Sequence, residues 1–162
     1  MIVVSDASPL GSLAAIDYLW ILQAIYGTVA VPEVVARELA TAKSARLQAV
    51  LSLDWILVRS PTELAIAEAR QQSKRLDPGE THAIALALQL KADELLINER
   101  LGRRVAQDLG LSVIGIFGIL IAAKQKGHIP SVRRVMDGLV EQAGFRVSYS
   151  LYERVLKFAG EI

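Results

Sequence analysis

The sequence has no cysteine at all, which excludes disulfides, zinc–thiolate sites and thiol nucleophiles. A reducing cytoplasm is the compartment this absence fits. Proline is scarce, at five residues, and aromatic residues make up only 6% of the chain. With 52% apolar and 22% charged residues, this composition describes a compact globular chain leaning apolar, with surface to offer a partner. A long hydrophobic run is missing too. The longest, Val113 to Ala123, contains two glycines and falls well short of the ~20 residues that cross a bilayer, so it is expected in the core and no membrane association is expected. The N-terminal Met1-Ile2-Val3-Val4 carries no positive leader and meets Ser5 and Asp6 at once, so no export signal is expected. Nor is there a bias of charge. A formal net charge of +1 does not by itself call for nucleic acid, so any RNA contact must be local.

What is present is an alternation of strand-like and helix-like segments. Ile2 to Ser5 is a β-branched run that ends at the turn signal Ala7-Ser8-Pro9, and apolar residues then recur at helical spacing from Leu10 to Leu19. Val29-Ala30-Val31 stops at Pro32, a residue tolerated at a helix start, with Val34, Val35 and Leu39 on the apolar side of the helix that follows. Ser44 to Leu51 reads as helical, Trp55 to Val58 as a third strand and Thr62 to Arg75 as an amphipathic helix. Asp77-Pro78-Gly79-Glu80 carries the marks of a helix start: a cap-type residue, a proline in the first turn and an acid three residues after the cap. Leu95 to Ile97 gives a buried strand, Arg100 to Leu109 a helix ending at Gly110, and Val113 to Gly115 a fifth strand. Phe117 to Lys126, Ser131 to Ala143 and Ser148 to Ala159 read as three closing helices. Strands interleaved with helices require crossover connections, hence a parallel sheet covered on both faces. The 162 residues are expected to form one domain, with a core over about 1–127 and C-terminal helices over 128–162.

In an open α/β sheet, ligands bind beyond the carboxyl ends of the strands. Asp6 directly follows the first strand, Glu38 lies on the helix after the second, Glu80 opens a helix, and Asn98 with Glu99 follows the Leu95 to Ile97 strand. Like charges gathered in a crevice raise one another's pKa unless a cation joins them, and hard oxygen ligands suit Mg²⁺ or Mn²⁺. That outline is a phosphodiester-cutting site. Each acid also has an ordinary explanation. Asp6 can cap a helix, Glu38 can be a solvated helix carboxylate, Glu80 can complete a capping box, and Glu99 can complement a helix dipole. Arg100, Arg103 and Arg104 follow the proposed metal edge, where guanidinium groups suit RNA phosphates; a solvated helix face is the alternative. His82 is expected on a helix surface and His128 in a loop, while Trp20, Trp55 and Tyr26 are expected to fill the core.

Val3 to Leu10, Val31 to Leu39, Asp77 to Ala87, Leu95 to Glu99 with Arg103 to Ala106, and Gly110 to Gly115 together resemble the PIN-domain superfamily. More narrowly, they resemble its prokaryotic branch long known only as a domain of unknown function, which is similar to VapC-type toxins. The resemblance implies a three-layer α/β/α sandwich with a five-stranded parallel sheet and extra C-terminal helices. It also implies an endoribonuclease dependent on Mg²⁺ or Mn²⁺, the toxin of a type II toxin–antitoxin pair, a homodimer neutralised by a small antitoxin. Asp6, Glu38, Glu80 and Glu99 match the family's acids, with Ser8 as the hydroxyl residue beside the first. Where the branch carries two consecutive aspartates after strand four, this chain has Asn98 and Glu99. Asn98 can offer a metal a carbonyl oxygen but no charge, and Glu99 is one methylene longer than Asp. A catalytically degenerate module that binds RNA or an antitoxin is therefore the alternative.

Overall fold

A computed structural model describes residues 1–162. Its sheet has five strands: β1 (Val3–Ser5), β2 (Val29–Pro32), β3 (Ile56–Arg59), β4 (Glu94–Leu96) and β5 (Val113–Ile114). They lie in the order β3-β2-β1-β4-β5, and every neighbouring pair is parallel. The chain builds outward from β1 to β3 and then crosses to the other side to lay down β4. The order therefore reverses between β1 and β4, and that is where a crevice opens at the carboxyl ends of the strands.

Helices cover both faces. On one side lie α1 (Ala7–Ala15), α2 (Trp20–Tyr26), α3 (Glu33–Ala40), α8 (Ile116–Gln125), α9 (Val132–Gln142) and α10 (Tyr149–Phe158). The other side carries α5 (Glu63–Gln72), α6 (Pro78–Leu90) and α7 (Arg100–Asp108). The short α4 (Ala45–Gln48) runs into a 3-10 turn over Ala49–Ser52. Alternating side chains feed the two layers: Val3, Val29, Val31 and Leu96 enter the larger core, while Val4, Ala30, Leu95 and Ile97 enter the smaller. This is the three-layer sandwich. The longest helix, α6, is apolar on most of its circumference because it lies between the sheet and α5, with Ala83 through Ala87 all buried. Truncating Ile84, which has no exposed surface, would cost about 2–5 kcal/mol.

Three features depart from the sequence-based expectation. The helix expected from Leu10 to Leu19 stops at Ala15, because Asp17 takes a left-handed φ of 62° and turns the chain into a separate helix, α2. Trp20, expected in the core, is 45% exposed at the start of α2, whereas Trp55 is buried and Tyr26 half-buried as expected. The stretch from Ser44 to Leu51 is only part α-helix and finishes as the 3-10 turn. No helix is long and apolar enough to cross a membrane.

Candidate active site

Asp6 leaves β1 with its backbone amide still in the ladder, donating to the Leu96 carbonyl at 2.9 Å. It occupies the N-cap position of α1, yet its carboxylate accepts no capping bond, so helix capping does not account for this buried acid. Asp77 and Glu80 form a complete capping box on α6. The Asp77 carboxylate accepts from the Glu80 amide at 2.8 Å, and Glu80 Oε1 accepts from the Asp77 amide at 3.2 Å. One oxygen of Glu80 thus fixes the helix start. Its other oxygen, Oε2, lies beside Gly102 on α7. The box fixes the carboxylate's direction and still leaves one oxygen for other chemistry.

The convergence shows most clearly around Gly79. A methyl group built there would lie against Glu38 Oε1, 3.3 Å from Asp6 Oδ1 and 3.4 Å from Asp77 Oδ1. Three carboxylates from three segments therefore surround one backbone position that carries no side chain. Burial raises the Asp6 carboxyl to about 6 against the pull of the Ala7 amide, with the charges of Asp77, Glu38 and Glu99 adding to the rise. Burial likewise raises Glu80 to about 7 against the Asp77 amide, with the Asp77 and Asp6 charges adding. Glu38 is raised by burial and by Asp77. No buried polar side-chain atom lacks a hydrogen-bond partner, so any unbonded oxygen of the cluster retains some accessible surface.

Asn98 joins two elements. Its Nδ2 donates to Ser8 Oγ and its Oδ1 accepts from the Ile116 amide, both at 2.9 Å, tying the end of β4 to α1 and to the start of α8. Glu99 follows at the N-cap of α7, exposed and making no capping bond. Ser8 and Glu38 line a groove of about 400 Å³ along α1. Ser8 also lines a larger cleft of about 760 Å³ with Asn98, Glu99, Arg103 and Arg146. Arg100, Arg103 and Arg104 share a shallower groove of about 260 Å³ on the outer side of α7.

A PIN-domain family model matches residues 2–161. The chain belongs to the PIN-domain family. The curated proteins give no further match. The PIN fold is a nuclease-type fold, and PIN domains in general depend on a divalent metal. In this PIN domain no group of three or more acidic or histidine side chains is, as it stands, placed to hold a metal ion. The donors nonetheless match a divalent cation in kind: ionisable oxygens, converging from separate segments, whose mutual repulsion a cation would relieve.

Of the acids singled out from the sequence, Asp6 and Glu38 meet at Gly79 together with Asp77, Glu80 is close enough to feel the Asp6 charge, Glu99 stands at the rim near enough for its charge to reach Asp6, and Asn98 sits with Ser8. Asp77, expected only as a helix cap, also stands with Asp6 and Glu38 at Gly79, and the signal in the sequence was a second acid three residues before Glu80. Ser12 lines both clefts one helical turn after Ser8, a spacing visible in the sequence. Arg146 had no such signal, because only the packing of α9 and α10 brings it to the cleft.

Proposed function

We propose that this PIN domain is an endoribonuclease dependent on Mg²⁺ or Mn²⁺, the toxin half of a toxin–antitoxin pair. The observation that carries the reading is the meeting of Asp6, Glu38 and Asp77 oxygens around Gly79, beside the reversal of strand order. In this reading Asp6, Glu80 and Glu99 would hold the ion, with Glu38 as a further catalytic acid from α3. Asn98 keeps Ser8 in place and has a remaining carbonyl lone pair for the ion. The chemistry such an ion supplies when bound is Lewis-acid activation of water and charge neutralisation at the phosphate. Ser8, Arg100, Arg103 and Arg104 then contact the RNA backbone, the arginines as charge-assisted donors.

A single domain over 1–162, a cytoplasmic setting, a homodimer and a small antitoxin complete the proposal, the last two from the family resemblance. Exposed Trp20, Leu64, Tyr149 and Phe158 supply apolar surface for such partners. The test is calorimetric titration of Mn²⁺ into the protein and its Asp6→Asn variant, with cleavage of a mixed RNA pool at matched metal. Binding and cleavage that both vanish in the variant support the nuclease. A wild type that takes up no Mn²⁺ and leaves RNA intact favours the second reading, a degenerate binding module, for which the internal engagement of Asn98 is the specific observation.

A further inference from the structure

The larger cleft extends beyond the acids, towards the β5 edge of the sheet, and its far wall is built by the C-terminal helices. At the end of α9, Gly144 takes a left-handed φ of 66° and the Phe145 amide donates back to the Leu139 carbonyl at 3.0 Å. This helix-ending motif reverses the chain and seats Phe145 against Phe117 of α8, edge to face with ring centroids 5.4 Å apart. Arg146, the next residue, is exposed at the rim of the cleft, and Arg103 of α7 lines the same space, its guanidinium beside Gly115. The chain's ion pairs are Arg46–Asp17 and Lys124–Glu161, so neither cleft arginine is held in an ion pair. Both phenylalanine rings remain half-buried and line the same cleft as the two arginines.

The geometry points to this cleft as the seat of an unpaired RNA strand on one side of the bond to be cut, with Arg103 and Arg146 on backbone phosphates and the Phe117–Phe145 pair against a base. The inference rests on the nuclease reading for its choice of ligand. A volume of about 760 Å³ suits a nucleotide-sized occupant. Two cations sharing a cleft with aromatic surface match a strand whose base faces are free, because in a duplex those faces are stacked away from protein rings. Glu99 lines the same cleft and its charge reaches Asp6, so the cleft is continuous with the acids.

The experiment measures binding in EDTA, so that it does not depend on cleavage. A short fluorescein-labelled single-stranded RNA of mixed sequence is titrated by anisotropy at several salt concentrations, with the matching blunt duplex as competitor. Arg146→Ala and Arg103→Ala are each expected to weaken single-strand binding about tenfold at low salt and to lower the salt slope by ~0.7, the value for one phosphate contact on a single strand. Phe145→Leu, which keeps the packing, is expected to weaken binding severalfold with the slope unchanged. No binding by the wild type, unchanged affinity and slope in either arginine variant, or a duplex that competes as well as the single strand would each overturn the assignment. The two readings fail separately. Strand binding that needs both arginines, in a protein that cleaves nothing with Mn²⁺, retains the seat and removes the nuclease; cleavage lost with Asp6 but binding indifferent to Arg146 does the reverse.

Discussion

Glu161 and the acids around Gly79 are carboxylates at helix N-termini in one small protein, yet their surroundings are opposite. Glu161 lies at the start of α9 and accepts from the Val132 and Arg133 amides at 2.6 and 3.1 Å and from Ser131 Oγ and Lys124 Nζ at 3.0 Å. Burial would raise its carboxyl, but these donors outweigh burial and hold it down at about 2. Around Gly79 the neighbours of each acid are mostly other acids, and Asp6 and Glu80 are pushed up to about 6 and about 7. The first arrangement stabilises the fold, tying the C-terminal helices to α8. In the second, burial and like charge oppose the fold, a sign that these carboxylates are gathered for something other than stability.

That contrast can be broken at four points. Asp6→Asn should reduce RNA cleavage about a thousandfold if the acids hold the catalytic ion, while leaving the melting temperature in EDTA unchanged or higher, since a buried like charge is removed. A variant that both melts early and cleaves normally would make Asp6 a structural residue. Glu161→Gln should have the opposite profile. It should lose about 2–3 kcal/mol in urea denaturation, because four donors lose a charged acceptor, with RNA cleavage at saturating substrate unaffected.

The pH dependence of stability should separate the two clusters. Asp6 and Glu80 have folded-state pKa values above their ordinary ones, so the folded protein binds protons more tightly than the unfolded chain between about pH 4 and pH 7. In EDTA, stability should therefore rise as pH falls through 7 and 6, by about 1–2 kcal/mol after allowance for screening by water. Glu161 is depressed, so its contribution is complete above about pH 4.5 and is lost as pH falls towards 2. Thermal melts from pH 8 to pH 2 should pass through a maximum between these windows. Asp6→Asn should flatten the upper limb only, and Glu161→Gln the lower limb only. The smallest effect is expected at Asp77, where asparagine caps a helix as well as aspartate does. Asp77→Asn should leave stability within about 0.5 kcal/mol and weaken Mn²⁺ binding severalfold by calorimetry, an outcome a purely capping Asp77 would not give.

Much of the fold was legible because its signals are local. The period of apolar residues, Pro32 and Pro78 at helix starts, and the Asp77–Glu80 spacing each fix an element within a few residues, and the alternation of elements requires a parallel sheet. Asp6 and Glu99 were legible because they follow strand ends, while Glu38 and Glu80, both on helices, were legible from their place in the alternation and from the family resemblance. What escaped depends on contacts between distant segments or on one unusual backbone angle. Nothing in the letters announces that Asp17 adopts a left-handed φ, which divides one expected helix into two and leaves Trp20 in solvent. Arg146 faces the cleft only because Gly144 ends α9 where it does. The capping box is an alternative to function for Glu80, and in the structure it engages only Oε1, with Oε2 beside Gly102.

The wall that the acids share at Gly79 is a hydrogen atom on the main chain. Alanine at that position would favour the helix by up to about 1 kcal/mol, and the methyl would push the flexible Glu38 carboxylate aside. A tighter fold and an open centre are thus in direct competition over the volume of one methyl group. Selection for heat resistance alone would be expected to fill that space; selection for the site's chemistry would keep it clear.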